Sequence, residues 1–336
     1  MLYKGYINGN KALFDDATSV MNPKLNLDTN APDQFNFSID TSHMHYDEVV
    51  LGAIITVFQD GVGNIFVGKI TKISTDINQT KTVEAYSFMD AFNDTFIQSD
   101  TLGSNVQSAL TKILDAHNAR VPSVERISLG TCDKLAEAYS ETVANITTMQ
   151  ALKGLVEALG GYMRVRGAVG QLKLDYIVED FPANTQKSTK GDNLITLDIV
   201  DNATDVYQYL YPVGKDGLTL GTNPLLEVNG ITNGRTLIKE FDAENYQELY
   251  GKAMNFINTE MPTVSRSVSA SVIDKNMLDS YVPAFKILDK VNLFSLYPFI
   301  NEQLPITKMQ LDLSDVSKNR ITLGKDMITT ISKKVR

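Results

Sequence analysis

Two stretches of this chain, residues 35–74 and 269–313, carry the same order of β-strand patterns. The first reads F-N-F-S-I-D, then L-G-A-I-I-T-V-F and, after a glycine turn, I-F-V-G-K-I-T-K-I-S. The second reads S-A-S-V-I-D, then Y-V-P-A-F-K-I-L-D-K-V-N-L-F and L-P-I-T-K-M-Q-L-D-L. A repeat that keeps its strands and varies its turns predicts two similar antiparallel β-barrel domains in one chain.

The repeat is aligned on two short matches. Ile39-Asp40 corresponds to Ile273-Asp274, and Ile70-Thr71-Lys72 corresponds to Ile306-Thr307-Lys308. Equal numbers of residues separate Asp40 from Val57 and Asp274 from Val291, which assigns the two extra residues of the second copy to its later turn. Chance resemblance between alternating strands is the alternative explanation.

Length and charge narrow the classes of protein. A chain of 336 residues exceeds one typical core, and it has neither a secretory signal pattern after Met1 nor an apolar run of membrane-spanning length. We therefore predict no membrane insertion and no signal peptide. The net charge is -9, and the densest basic cluster is Lys333, Lys334 and Arg336. This balance argues against binding nucleic acid through its phosphates and suits a surface that DNA passes without sticking.

Residues 1–95 are predicted to form the first β-barrel. Phe35, Phe37 and Ile39 alternate with polar residues, so one face of their strand is buried. The segment 60–64 reads D-G-V-G-N and precedes more strand, which indicates a hairpin turn and not a phosphate loop.

Residues 96–190 are predicted to form an α+β domain that separates the two barrels. It has helices at about 104–117 and 147–160 and a hairpin at 162–178. Ser104 with Gln107, and Thr147 with Gln150, have the spacing of capping boxes. Gly160-Gly161 ends the second helix.

Residues 191–336 are predicted to form the second β-barrel, whose main barrel segment runs from Val264 to about Leu323. A helix at about 243–259, capped by Asp242 and ended by Pro262, is inserted in it. The apolar face of this helix is predicted to be core, and it comprises Tyr246, Leu249, Tyr250, Ala253, Phe256 and Ile257. The fold class is thus α+β and mainly β.

Residue types that could carry chemistry are sparse. Cys132 is the single cysteine, and the only histidine near it in sequence is His117, in a context unlike that of a nucleophile. His43-x-His45 has no third histidine nearby and reads as a polar connector. The cluster Asp198, Asp201 and Asp205 is explained by a solvated strand edge and turn. We predict no catalytic, cofactor-binding or metal-binding residue, and no enzyme.

The order of elements resembles that of phage tail hub proteins. In the segment Thr147–Ile177, a helix with the pattern T-x-x-x-x-L-x-x-L is followed by G-G-Y and a hairpin, and a Y-P-V-G strand and turn follow at Tyr211–Gly214. The helix before Pro262 and the strand V-S-A-S-V-I-D at Val268–Asp274 continue the match. The chain resembles the N-terminal hub region of siphophage and prophage tail-associated lysins, a family similar to contractile-tail baseplate hubs and type VI secretion spikes.

This resemblance implies a structural role at the virion tail tip. A homotrimer would present six similar barrels, so that a three-fold hub joins a six-fold tail tube and forms or closes the DNA channel. The implied partners are the distal tail (tube-end) protein and the tape-measure protein. The contacts of the ring are expected at edge strands of the barrels, at Ile70, Thr71, Lys72, Ile73, Ile306, Thr307, Lys308 and Met309.

Two other functions remain open. A tail-associated cell-wall hydrolase or endopeptidase would show lytic activity on peptidoglycan. A module that binds carbohydrate of the host envelope would need an exposed aromatic platform, and the absence of Trp argues against it.

Overall fold

The computed structural model describes residues 3–324, apart from residues 10, 16–19, 203, 205, 223, 229–232, 260, 262–264, 278 and 280. Val264, Pro262, Asp205 and the basic residues near the C-terminus therefore lie outside the described residues. Two compact units are present, Met1–Asp198 with Val268–Gly324, and Ile199–Ser267. The prediction of a mainly β protein with large antiparallel sheets is confirmed.

The first unit is built on one large sheet. The strands before the helical region are β1 Tyr3–Ile7, β2 Lys11–Phe14, β3 Met21–Asp28, β4 Gln34–Ile39, β5 Ile54–Gln59, β6 Gly63–Thr75 and β7 Lys81–Ser87. The predicted turn at residues 60–64 is the hairpin turn between β5 and β6, because Gln59 pairs with Gly63.

The first part of this sheet curls on itself around an aromatic core. In hydrogen-bonding order, β2 and β4 are separated by four strands, β1, β5, β6 and β7. A flat sheet would place them more than about 20 Å apart. The rings of Phe14 on β2 and Phe35 on β4 nevertheless have centroids 6.2 Å apart, and Phe66 lies 5.9 Å from Phe35. The strands therefore enclose these rings as the wall of a barrel does.

A small α+β region follows. Its elements are β8 Phe96–Thr101, α1 Val106–Asn118, β9 Ile127–Cys132, β10 Thr142–Thr147, α2 Thr148–Leu159, β11 Tyr162–Arg166 and β12 Leu172–Ile177. The predicted hairpin is confirmed, since β11 and β12 pair antiparallel, and β9 adds to β12 in parallel. The helices pack their apolar faces into one core with these strands.

The capping prediction is right for one helix and wrong for the other. Thr147 and Gln150 form the predicted capping box of α2, and Gly160 ends that helix with a φ of 78°. The N-cap of α1 is Asn105, whose side chain accepts a hydrogen bond from the backbone N–H of Ser108. Ser104 is thus one residue too early, because an amide side chain caps as well as a hydroxyl and the spacing fits both.

The chain then completes the large sheet. Its remaining strands are β13 Ala183–Thr189, β14 Leu194–Asn202, β18 Ser265–Val272, β19 Lys290–Leu296, β20 Phe299–Asp312 and β21 Arg320–Gly324. The strands β15 Tyr209–Val213, β16 Leu226–Glu227 and β17 Thr236–Glu240 form a separate sheet. The large sheet has 13 strands, in the order β14-β18-β21-β20-β3-β4-β7-β6-β5-β1-β2, with β19 paired to β20 and β13 paired to β19.

The second unit consists of a three-stranded sheet and one helix, α3 Tyr246–Thr259. Glu248 donates its backbone N–H to the side chain of Asn245, so Asn245 occupies the capping position that was predicted for Asp242. Asp242 instead pairs with Lys215 at 2.9 Å. A carboxylate near the N-terminus of a helix can pair with a lysine instead of with the backbone N–H groups of that terminus.

The predicted core face of α3 is only partly buried. Leu249, Ala253 and Phe256 are buried, whereas Tyr246 and Tyr250 are 53% and 44% exposed and stack on each other. Phenol rings have a polar end and tolerate exposure, so helical spacing alone overstated the width of the core face. The predicted domain boundaries near residues 95 and 190 stay a prediction.

Candidate assembly interface

The two repeated segments form ladders with the same strand order. We call β4-β7-β6-β5 the first ladder and β18-β21-β20-β19 the second ladder. The strand that follows Asp40 in sequence is matched by the one that follows Asp274, and both aspartates accept a hydrogen bond from the backbone N–H two residues later. One polypeptide therefore builds the same four-stranded unit twice.

The hairpin register of the two ladders also agrees. In the first ladder Ile55 pairs with Gly68 and Ile54 with Lys69. In the second, Val291 pairs with Leu304 and Lys290 with Pro305. Val291 is thus equivalent to Ile55 and not to Val57, so the sequence alignment was wrong by two residues at this point. In the second copy, the two extra residues therefore lie in the connector before the hairpin and not in its turn. The sequence could not show this, because buried strand residues alternate and a shift of two preserves the pattern.

A β-bulge marks the same point in each ladder. The register shifts between Ile70 and Lys72 in the first ladder and between Ile306 and Lys308 in the second. The bulged residue is a threonine in both, and its hydroxyl donates to a carbonyl of the facing strand, Thr71 to Glu84 and Thr307 to Thr322. Bulges bend a strand at a fixed place, so the matched I-T-K sequences reflect a shared bend.

The two ladders are joined within the chain where β20 pairs antiparallel with β3. Lys308 faces Asp28 and Asp312 faces Lys24 in this pairing, which we call the junction. Lys308 also forms an ion pair of 3.2 Å with Asp28. Of the predicted interface residues, Ile306, Thr307, Lys308 and Met309 thus lie inside the sheet, at a contact that one chain makes with itself.

Ile70, Thr71, Lys72 and Ile73 lie at the equivalent place in the first ladder. They pair with β7 on one side. On the other side β5 reaches only to Lys69, and backbone bonds from Gly52 and Ala53 end at Ile70. Within the part of the chain that the structure describes, no strand pairs with the outer edge of residues 71–75. Strand edges of this kind are available for another chain.

A second strand edge without a partner among the described residues, at β14, was not predicted from the sequence. β14 ends the strand order of the large sheet, next to the second ladder, as β3 lies next to the first. Ile195 on it is 51% exposed, and Asp198 is exposed too. The signal was present in the sequence, since L-N-L-D at residues 25–28 of β3 and I-T-L-D at residues 195–198 share one pattern.

A buried ion pair lies next to the end of β3, the strand that forms the junction with β20. The carboxylate of Asp33 lies 3.8 Å from the guanidinium of Arg164 on β11 and accepts a hydrogen bond from the backbone N–H of Asp28. Burial raises the pKa of Asp33 to about 6, although the charge of Arg164 opposes this rise. Arg164 also donates to the carbonyl of Ile65, and both charged groups line a cavity of about 450 Å³. The end of β3 is therefore held by a polar network.

The hairpin tips of the two ladders differ in polarity. The first tip contains Asp60, Gly61 and Val62. The equivalent tip of the second ladder exposes Leu296, Tyr297 and Phe299 by 60%, 81% and 73%. The repeat thus preserves strand pairing while it varies one surface.

The side chains considered for chemistry lie in ordinary surroundings. Cys132 is half-buried on β9, and burial raises the pKa of its thiol to about 11, so it is not a thiolate at neutral pH. His117 is buried, lies against the ring of Phe92 and hydrogen-bonds the hydroxyl of Thr95, while burial lowers its pKa. His43 hydrogen-bonds the carbonyl of Leu13. Among the described residues no cluster of three or more metal-ligating side chains occurs.

Comparisons with known proteins identify the fold. No family model and no curated protein matches the chain. The tail protein from Neisseria meningitidis MC58 superposes with a TM-score of 0.64 and 14% identity, over 98% of each chain. The 43 kDa tail protein of prophage MuSo2 from Shewanella oneidensis gives a TM-score of 0.64 and 11% identity, over 96% of each. The chain has the fold of phage and prophage tail proteins.

This tail-protein fold extends to secretion machines. The E. coli c3393 protein, a component of the type VI secretion system described as similar to the T4 tail proteins gp27 and gp5, matches with a TM-score of 0.50 and 10% identity. The match covers 97% of the present chain and 78% of that protein.

None of the helices in the described part of the chain has both the length and the apolar character that a membrane span needs.

Proposed function

We propose that this chain is a structural subunit of a phage or prophage tail tip, the baseplate hub, and that it acts as a homotrimeric ring. The observation that carries the proposal is the duplicated ladder, with one register and one bulge in both copies. Three chains with two such units each present six similar faces, which matches a six-fold tube to a three-fold tip. The fold shared with tail proteins supports the same role.

The ring would sit between the tail tube and the tip. Its proposed partners are the distal tail protein at the end of the tube, the tape-measure protein and further copies of itself. Genomic DNA would traverse the channel without specific binding, which the net charge of -9 favours. In this proposal the chain corresponds to the hub region of tail-associated lysins.

Native mass spectrometry of the purified chain, alone and with the tube-end protein of the same particle, tests the ring. We expect a species of three chains, at least in the presence of the partner. Because edge pairing is concentration-dependent, the measurement is made over a range of protein concentrations. A chain that stays monomeric with the partner, and is absent from purified tails by immunoblot, would overturn the proposal.

A cell-wall hydrolase is the competing function, and it is less well supported. Cys132 is held as a thiol by burial, so it does not have the ionisation of a cysteine nucleophile. Release of soluble fragments from peptidoglycan by the purified, folded chain would favour the hydrolase.

A further inference from the structure

The equivalent strands β6 and β20 differ in what lies along their outer edges. β6 and β20 have equivalent hairpin partners, β5 and β19, and equivalent partners on the far side, β7 and β21. Both strands also have a bulge at the same point. Beyond the bulge, β20 also pairs on its outer edge with β3. The outer edge of β6 at residues 71–75 has no such strand in the described chain. One ladder is thus completed by a neighbour, and the other is not.

Burial follows this asymmetry position by position. In the second ladder Thr307, Met309 and Leu311 are 0%, 5% and 5% exposed. Their equivalents in the first ladder are less covered, since Thr71 and Thr75 are exposed and Ile73 is half-buried. At the bulge the residue type is the same, so the difference comes from the neighbouring structure and not from the side chain.

The other end of the sheet supplies the complementary edge. β14 occupies beside the second ladder the place that β3 occupies beside the first. Leu25 on β3 is fully buried, whereas Ile195 on β14 is 51% exposed. An apolar residue on a terminal strand is covered when that strand gains a partner.

We propose that the outer edge of β6, at Lys72–Thr75, pairs antiparallel with Ile195–Asp198 of a neighbouring protomer, as β20 pairs with β3 inside the chain. This inference rests on the proposed trimer and names the strands that close it. The sequence match then brings Asp198 of one protomer to Lys72 of the next, as Asp28 meets Lys308 at 3.2 Å.

The occupant is a second copy of this chain because both halves of the contact already exist in it. The interface joins two different surfaces, and repeated head-to-tail contacts close into a ring when the rotation divides the circle. The junction relates one ladder to the next within the chain by an antiparallel strand pairing. Pairing at β6 and β14 repeats the step between chains and leaves neither edge exposed.

Disulfide trapping tests the pairing. In a Cys132→Ser background, Ser74→Cys is combined with Thr196→Cys or with Asp198→Cys, and the assembled trimer is oxidised. We expect covalent dimers and trimers on non-reducing gels from at least one combination. Asn26→Cys with Gln310→Cys is the matched positive control, because these residues face each other at the junction and should link within one chain. Ser74→Cys with Thr101→Cys, an exposed residue on β8, is the negative control.

A charge substitution supplies a second readout. Ile73→Lys should lower the fraction of trimer at least tenfold at a fixed protein concentration, while the melting temperature of the monomer falls by less than about 4 °C. A trimer that forms, yields no cross-link in either combination and tolerates Ile73→Lys would overturn the strand pairing and leave the proposed function standing. Failure to form any trimer, with or without the tube-end protein, would overturn both.

Discussion

Asp33 shows how one buried carboxylate links two parts of the first unit. It receives the backbone N–H of Asp28 at the end of β3 and lies beside Arg164 on β11. Its pKa of about 6 means that desolvation outweighs the nearby positive charge. No sequence pattern indicated this pair, because its members are far apart in the chain and meet only when β11 lies against the turn between β3 and β4, where Asn30 bonds Met163.

We expect Asp33→Asn to flatten the pH dependence of stability between pH 4 and 6. A carboxyl whose pKa is raised in the folded state keeps its proton there longer than in the unfolded chain, so its ionisation destabilises the fold as pH rises. The free energy of urea unfolding, measured across this range, should fall with pH more steeply in the wild type than in the variant. Asp47→Asn, at an exposed carboxylate, is the control and should keep the wild-type slope.

At the scale of single elements, the sequence predicted the helices and the hairpin correctly, but it misplaced the N-terminal caps of two helices. The α2 helix, its capping box and the following hairpin were predicted because all the residues that determine them are close in sequence. The caps of α1 and α3 were misassigned because neighbouring polar residues compete for one position. The extent of the α3 core face depended on packing, which spacing alone does not determine.

The cap of α1 gives a direct test. Asn105→Ala should destabilise the protein by about 1 kcal/mol, since it removes the acceptor for the N–H of Ser108. Ser104→Ala, one residue earlier, should change the free energy of unfolding by less than about 0.5 kcal/mol. Equal effects of both substitutions would contradict the observed cap.

The two ladders offer a matched pair of strand variants. Met309→Lys should destabilise the monomer by about 3 kcal/mol or more, because it puts an ammonium group beside β3 at a position only 5% exposed. Ile73→Lys, at the equivalent half-buried position, should cost less than about 1 kcal/mol. Urea unfolding of dilute monomer measures both, and similar losses would mean that β3 is not what covers Met309.

For the molecule as a whole, the repeat predicted the two ladders but not their connection. The similarity of residues 35–74 and 269–313 lies in local strand patterns, which a sequence displays. The pairing of β20 with β3 joins residues far apart in the chain, so it leaves no local pattern. The interface predicted at the bend of β6 accordingly stays a prediction, and the edge of β14 was not predicted from the sequence.

The net charge of -9 leads to a prediction for the intact chain. We expect no retention of double-stranded DNA in a gel-shift assay at about 150 mM salt and protein concentrations of tens of micromolar, weaker than typical non-specific binding. The monomer and any trimer should behave alike, since assembly adds negative charge. A shift at micromolar protein would argue against a passive channel wall.

The unlike hairpin tips, with Asp60 and Gly61 in the first ladder and exposed Tyr297 and Phe299 in the second, bear on how a ring of three chains would be oriented. If every tip were the same, a partner could dock in any of six rotational settings with equal affinity. When aromatic and non-aromatic tips alternate around the ring, three of the six rotational settings differ from the other three. Duplication followed by divergence at one loop would thus let a tail select its angular phase without altering the wall that the loop stands on.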